Sequence, residues 1–142
     1  MISVTKIFRF EMGHAIDEYE GMCRFIHGHS YVLHVTVAGQ EVSHSPIAPP
    51  GFIIDFKVLK QLVNEKVIHR LDHALVLSES YLKKHPGAGE DNQNLIIWPY
   101  EPSAENILYF IREALHKGLP DGYKLLKLKL WETSESYAAW EA

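Results

Sequence analysis

The sequence predicts an α+β fold, and three observations carry that reading. Two long stretches near the start alternate apolar and polar residues with period two. Two later stretches place apolar residues at helical spacing, and a last stretch returns to alternation. The predicted order is two long strands, a helix, a loop, a second helix and a final strand. With 142 residues, long enough to bury a core, the chain is expected to form one domain over 1–142.

Val4 to Met12 is the first predicted strand. Val4, Phe8, Phe10 and Met12 share one face, Thr5, Arg9 and Glu11 the other, with Ile7 the exception. Residues 15–26 are irregular and polar, as in a loop. From His29 onward Tyr31, Leu33, Val35 and Val37 define a second core face, opposite Val32, His34 and Thr36. The segment from Gly39 to Gly51 holds three prolines and is predicted to be a loop. Gly51-Phe52-Ile53-Ile54 is predicted to be a short apolar strand. Asp55 then caps a helix whose buried stripe is Leu59, Leu62, Val63, Val67 and Leu71. Residues 78–94, with Pro86, Gly87 and Gly89, are predicted to form a long loop, followed by a short strand over Leu95 to Trp98. Ser103 is placed as the N-cap of the second helix. Glu105 sits in its first turn, where the helix dipole favours an acid, and Gly118 can end it. Tyr123 to Thr133 is the final predicted strand, with a core stripe Leu126, Leu128 and Leu130.

The core faces of the first two strands lead to chemistry. Extended by two residues, the first reaches His14; traced backwards, the second begins with His27 and His29. Antiparallel pairing of consecutive strands brings those ends together and gathers three imidazoles at one end of a sheet. Gly28, between the last two, leaves room for close backbone approach. Three neutral histidines on Zn²⁺ leave one coordination position open, which is the catalytic rather than the structural pattern. Iron and copper accept similar ligands.

Cys23, the only cysteine, lies four residues before His27. It is either a small buried apolar side chain or a thiol that works as a base beside the metal. Asp72-His73 ends the first helix: the pair either complements the helix dipole or forms an acid–base couple. Glu132 continues the final leucine stripe, and is either a strand end emerging into solvent or a carboxylate lining a pocket. His34, His44, His69, His85 and His116 have no comparable company.

A formal net charge of −4 argues against a general nucleic-acid binder, and an anionic substrate would need local positive charge. One cysteine permits no internal disulfide and points to a reducing, cytoplasmic setting. No signal peptide is expected, and no stretch approaches the roughly 20 apolar residues of a membrane span.

These residues carry a resemblance. The segments Phe10-Glu11-Met12-Gly13-His14, Cys23-Arg24-Phe25-Ile26-His27-Gly28-His29, Ile54-Asp55-Phe56, Leu71-Asp72-His73, Pro102-Ser103-Ala104-Glu105-Asn106 and Glu132-Thr133 occur in the order of one family. Together they cover most of the chain. The sequence resembles the 6-pyruvoyl-tetrahydropterin synthase and 6-carboxytetrahydropterin synthase family. The resemblance implies a T-fold: an antiparallel four-stranded sheet with two helices on one face. It also implies a homohexamer of two trimers, with sheets joined into a barrel and active sites at subunit boundaries. By the same resemblance His14, His27 and His29 are the zinc ligands and Cys23 is the proton-abstracting base. Asp72 and His73 are an acid–base pair on a site shared with another subunit. Glu132 anchors the pterin and belongs to the charge relay, and Glu105 is a further substrate contact.

The implied substrate is 7,8-dihydroneopterin triphosphate. The expected activity is that of a 6-carboxytetrahydropterin synthase on the route to queuosine and related deazapurines, releasing acetaldehyde and triphosphate. The alternatives are a 6-pyruvoyl-tetrahydropterin synthase, which only eliminates triphosphate, and a non-catalytic zinc-containing pterin-binding module. The chain departs from the family pattern in Met12-Gly13 before the first histidine, in Ser103-Ala104 where threonines are common, and in a longer segment from Ser78 to Tyr100.

Overall fold

The computed structural model describes residues 2–39 and 46–142. The first two strands form where period-two alternation placed them: β1 over Val4–His14 and β2 over His27–Ala38. They pair antiparallel along their whole length, from Val4↔Val37 to His14↔His27. This register puts Phe8, Phe10 and Met12 beside Tyr31, Leu33, Val35 and Val37 on one buried face. Ile7, the exception in the pattern, is exposed.

Asp55 caps α1 (Phe56–Val63) by accepting the Lys57 N–H at 2.8 Å. The helical path continues through a π-helical segment, Asn64–Ile68, and a short α2, His69–Leu71. Leu59, Val63, Val67 and Leu71 are all fully buried, so the four-residue spacing keeps one face on the sheet through the π segment. Ser103 caps α4 (Ala104–His116), its Oγ accepting the Asn106 N–H at 3.3 Å. Ile107, Leu108, Ile111 and Leu115 of α4 share a single core with the α1 stripe and the inner faces of β1 and β2. Both long helices therefore cover one face of the sheet, as expected.

The expected four-stranded antiparallel sheet is instead a six-stranded mixed sheet with the order β4-β3-β1-β2-β5-β6. The extra strands come from two places. β3 (Ala74–Ser78) runs parallel to β1, with Met12↔Ala74 to His14↔Val76, and β4 (Leu95–Trp98), the short strand the sequence predicts at those residues, runs parallel to β3. β6 (Tyr137–Glu141) folds back antiparallel on β5 (Lys124–Trp131) after the turn that contains Glu132. The predicted loop over 78–94 is also corrected: its first part is α3 (Glu79–Lys84), capped by Ser78 through a bond from the Tyr81 N–H at 2.9 Å.

The predicted strand over 51–54 does not form; Ile53 and Ile54 are bends leading into the cap. Of the loop predicted over 39–51, residues 40–45, including His44, lie outside the described residues. The leucine stripe of the last strand shifts too. A bulge opposite Thr36/Val37 pairs Val37 with Leu125, so Leu125, Leu128 and Leu130 are buried and Leu126 is only half-buried.

β3 is buried on both faces. Ala74 and Val76 join the main core. Leu75 and Leu77 join a second one, with Ala15 and with Tyr81 of α3. Among the described residues no helix is long and apolar enough to cross a membrane.

Candidate metal centre and adjoining cavity

The β1–β2 register determines the site. His14 and His27 are direct partners across the ladder, and His29 follows on the same face of β2. At the crossing, Gly13 faces Gly28. A Cβ on Gly28 would lie 3.3 Å from the Met12 carbonyl oxygen, so glycine here permits the close approach of the two backbones.

The three imidazoles converge through their Nε2 atoms. His14 to His27 and His27 to His29 are each 3.1 Å, and all three donors lie within 4.8 Å of one another. Ligands about 2.0–2.1 Å from a tetrahedral zinc stand roughly 3.3 Å apart, so the separations fit such an ion. The Nδ1 side agrees. His14 Nδ1 lies 2.6 Å from the Pro102 carbonyl and His27 Nδ1 2.7 Å from that of Phe25. A carbonyl only accepts, so each ring carries its proton on Nδ1 and turns the Nε2 lone pair inward. That is the outer-shell arrangement of metal-ligating histidines.

Burial pushes the His14 imidazole below the usual histidine value, partly opposed by its bond to Pro102. Burial lowers His29 as well, against the pull of Glu132. Both shifts favour neutral imidazole, the form that binds a metal. Within the described residues these three histidines are the cluster able to hold an ion.

Beside the centre lies a cavity of about 230 Å³, lined by His14, Ile16, Cys23, Ser103, Ala104, Glu105, Glu132 and the start of β6. The structure thus brings Cys23, Glu132 and Glu105 to one space with a metal-ligating candidate. Cys23 arrives on a single 3₁₀ turn, Met22–Arg24, and its carbonyl accepts the Ile16 N–H at 2.9 Å. Glu132 follows β5, with Oε1 3.8 Å from His29 Nε2 and Oε2 accepting from the Tyr31 hydroxyl at 3.4 Å. Glu105 projects from the first turn of α4.

Asp72 and His73 do not reach this cavity within one chain. They stand at the start of β3, where His73 lines a second depression with Glu11, Ile26, His27 and His29. The corner is anchored to β1 at Glu11. The Glu11 N–H donates to Asp72 Oδ1 at 2.9 Å, and its carbonyl accepts the His73 N–H at 2.6 Å. His73 has φ = 62°, a left-handed conformation that costs energy for a residue with a Cβ. Its side chain is 75% exposed, and Nε2 is 3.8 Å from Asp72 Oδ1, too long for a hydrogen bond.

Sequence reasoning missed Tyr31, Pro102 and Glu101. Tyr31 was signalled: it stands two residues past His29 on the same face, stacks on Phe10 at 5.1 Å and reaches Glu132. Its phenol is pushed upward by burial and by Glu132, so it stays protonated and donates. The Pro102 carbonyl gives no side-chain signal. Glu101 accepts the Asp17 N–H at 2.8 Å, a contact that no local pattern announces. Among the described residues, His85 packs at a tilt against Tyr81 with ring centroids 4.4 Å apart, and no further histidine joins the centre.

Comparison with known proteins agrees with this geometry. The family described as 6-pyruvoyl tetrahydropterin synthase matches residues 3–142. The chain is 30% identical to a 6-carboxy-5,6,7,8-tetrahydropterin synthase of Rickettsia conorii, over 96% of this chain and 98% of that one. It is 28% identical to the protein of that name from Haemophilus influenzae, over 99% of both chains. Among solved structures, the 6-pyruvoyl tetrahydropterin synthase of Caenorhabditis elegans shares the fold with a TM-score of 0.71 at 18% identity, over 99% of this chain and 95% of that one. A sheet end carrying three convergent histidines, on a chain matched almost from end to end, belongs to the 6-pyruvoyl tetrahydropterin synthase family.

Proposed function

We infer that this chain is a zinc-dependent 6-carboxy-5,6,7,8-tetrahydropterin synthase, a carbon–carbon lyase formed by one domain over 1–142. It takes 7,8-dihydroneopterin triphosphate and water to 6-carboxy-5,6,7,8-tetrahydropterin, acetaldehyde and triphosphate, supplying queuosine and related deazapurines in the cytoplasm. The observation that carries this reading is the single cavity in which Cys23 and Glu132 meet the three-histidine centre. The end-to-end similarity to relatives bearing that name supports the choice of product.

His14, His27 and His29 hold the zinc. When bound, the ion polarises an oxygen of the substrate side chain and makes the neighbouring C–H bond easier to break. Cys23 takes that proton. Glu132 accepts two hydrogen bonds from the N–H and exocyclic amine along one pterin edge, a charge-assisted pair stronger than a neutral one. The Tyr31 hydroxyl, donating to Oε2, orients that carboxylate. Glu105 adds a contact at the rim.

Asp72 and His73 complete the acid–base chemistry from a second copy of the chain, in a homohexamer. Two features support sharing. The cavity of one chain, about 230 Å³, falls short of the roughly 300–1,000 Å³ of complete small-molecule sites. The Asp72–His73 corner is exposed, and His73 lines a different depression from the one that Cys23 lines.

One incubation of the zinc-loaded protein with 7,8-dihydroneopterin triphosphate, read by product masses, tests the proposal. Formation of 6-carboxytetrahydropterin with acetaldehyde is expected. A product that has lost triphosphate but kept its side chain would assign the 6-pyruvoyl reaction instead, which the name of the matching family favours. Substrate returned unchanged would leave a binding module.

A further inference from the structure

Cys23 has no regular element to hold it, since a three-residue turn in the 15–26 segment carries it. Yet that segment is tied down, most closely at Asp17, with Glu18 adding a bond from Lys84 at 3.3 Å. The Asp17 side chain is 6% exposed and accepts from two groups of α3, the Ser80 hydroxyl and the Lys84 ammonium, the latter at 3.1 Å. The Asp17 N–H donates to Glu101 Oε2 at 2.8 Å. The next bond inward runs from the Ile16 N–H to the Cys23 carbonyl at 2.9 Å.

Helix α3 is itself seated. Tyr81 packs with Ala15, Leu75 and Leu77 in the second core, so the helix presses on the residue that follows His14. Pro102, beside Glu101, holds His14 through its carbonyl. A continuous set of contacts therefore leads from α3 through Asp17 to Cys23, and the Glu101-Pro102 pair grips both the cysteine loop and a metal ligand.

We propose that Asp17 is a positioning residue that fixes Cys23 against the cavity by clamping its loop to Ser80 and Lys84 of α3 and to Glu101. This gives a role to the longer Ser78–Tyr100 segment: its helix supplies two of the three partners. The carboxylate suits the task. Held below the usual aspartate range, first by the Ser80 hydroxyl and then, after an opposing burial effect, by Lys84, it stays ionised at neutral pH. As an acceptor of several bonds it links elements that share no backbone ladder. The proposal rests on the reading of Cys23 as the base, but the clamp has a readout of its own.

Because Cys23 is the only cysteine, alkylation by iodoacetamide reports on this thiol alone. The experiment takes the metal-loaded Asp17→Ala, Asp17→Asn, Ser80→Ala and Lys84→Met proteins. It measures metal content, alkylation rate, and kcat and KM on 7,8-dihydroneopterin triphosphate. Asp17→Ala is expected to keep its metal and to alkylate several-fold faster as the loop is released. Its kcat should fall by up to about 100-fold with KM little changed, the scale of a base displaced by about an ångström. Asp17→Asn, which keeps an acceptor for Ser80, should recover part of both readouts. Should Asp17→Ala fail to fold, Ser80→Ala and Lys84→Met remove the partners singly and carry the same expectation at smaller size.

A folded, metal-loaded variant with wild-type alkylation overturns the clamp, even if its melting temperature falls. Full turnover by Cys23→Ala would instead overturn the assignment of Cys23 as base, and the alkylation comparison would still decide whether Asp17 holds its loop.

Discussion

Two corners of this molecule flank the same sheet end and are built in opposite ways. At the β1–β2 end, His14 is 2% exposed, its ring and that of His27 are locked by backbone carbonyls, and three Nε2 atoms already converge. At the β1–β3 end, Asp72 and His73 are exposed, the two side chains stand 3.8 Å apart, and the backbone is in a left-handed conformation. The first corner is finished within one chain. The second is fixed to Glu11 through the Asp72 carboxylate and the His73 N–H, and leaves the His73 imidazole exposed. The comparison teaches that one chain by itself assembles the three donors a metal would need, whereas the acid–base role proposed for His73 requires a group brought to it from elsewhere.

The largest expected effect separates these two properties. His14→Ala removes one donor of three and opens a buried site, so it should abolish stoichiometric metal binding and turnover together. His73→Ala should keep the metal in full. Elemental analysis of both proteins checks this; metal lost from His73→Ala would break the distinction. Metal binding should also weaken in acid. The folded-state pKa of His14 is depressed below its ordinary 6.5, so the unfolded chain takes up protons first as pH falls. Apo stability from this group is thus fully present above 6.5 and is lost as pH drops through the window beneath it. Protonation competes with the metal in the same direction. A pH titration of zinc affinity that stayed flat from neutral to mildly acidic would contradict this.

A smaller effect, on chemistry alone, is expected from Cys23→Ala and His73→Ala. Each should lose on the order of 100- to 10,000-fold in turnover, the usual contribution of a positioned acid–base group. If His73 serves a neighbour's cavity, mixed oligomers of the two inactive proteins regain turnover, because some sites receive Cys23 from one copy and His73 from the other. Mixing by co-expression, with persistently dead enzyme as the result, would mean that each chain serves only itself.

The contrast between the corners also explains what the sequence made readable. Where a strand has one buried and one open face, alternation marks it, and β1, β2 and the convergence of their histidines followed from that period alone. β3 has both faces covered, so Ala74 to Ser78 shows no alternation. Its partners, β1 and β4, are parallel and distant in sequence, and no turn signal announces them. β6 is short and follows a polar turn. The bulge that moved burial from Leu126 to Leu125 is a register shift, Thr36↔Lys127 followed by Val37↔Leu125, that leaves Leu126 unpaired, and alternation within one strand does not announce it. At the site, side chains with a period were legible, and contacts made by the Pro102 and Phe25 carbonyls were not.

Pterin binding should respond more modestly than turnover. Glu132→Gln keeps the shape of the side chain, loses its charge and sets a donor against a donor. Loss of a charge-assisted pair, at about 1.5–3 kcal/mol, corresponds to roughly 10- to 100-fold weaker binding of a product-like pterin, with the metal unaffected. Calorimetric titration of both proteins measures this. Equal affinities would move the pterin anchor elsewhere in the cavity.

The smallest expected effect probes the second corner directly. The chain must turn sharply at His73 to send β3 back parallel to β1 at Met12↔Ala74, and the bonds from Glu11 fix that turn on both sides. A left-handed residue with a Cβ costs roughly 1–2 kcal/mol, and glycine avoids this at an entropic cost of about 0.5–1 kcal/mol. The imidazole is 75% exposed, so little packing is lost with it. His73→Gly should therefore be slightly more stable than the native chain, by up to about 1 kcal/mol, while losing as much turnover as His73→Ala. Denaturant melts of the native, Gly and Ala proteins separate the two contributions: Gly should lie above Ala, since Ala keeps the strain. If Gly melts at or below Ala, the corner is not strained, and the histidine owes its place to contacts with its surroundings. If Gly melts higher but keeps its turnover, strain is present and the imidazole takes no part in the chemistry.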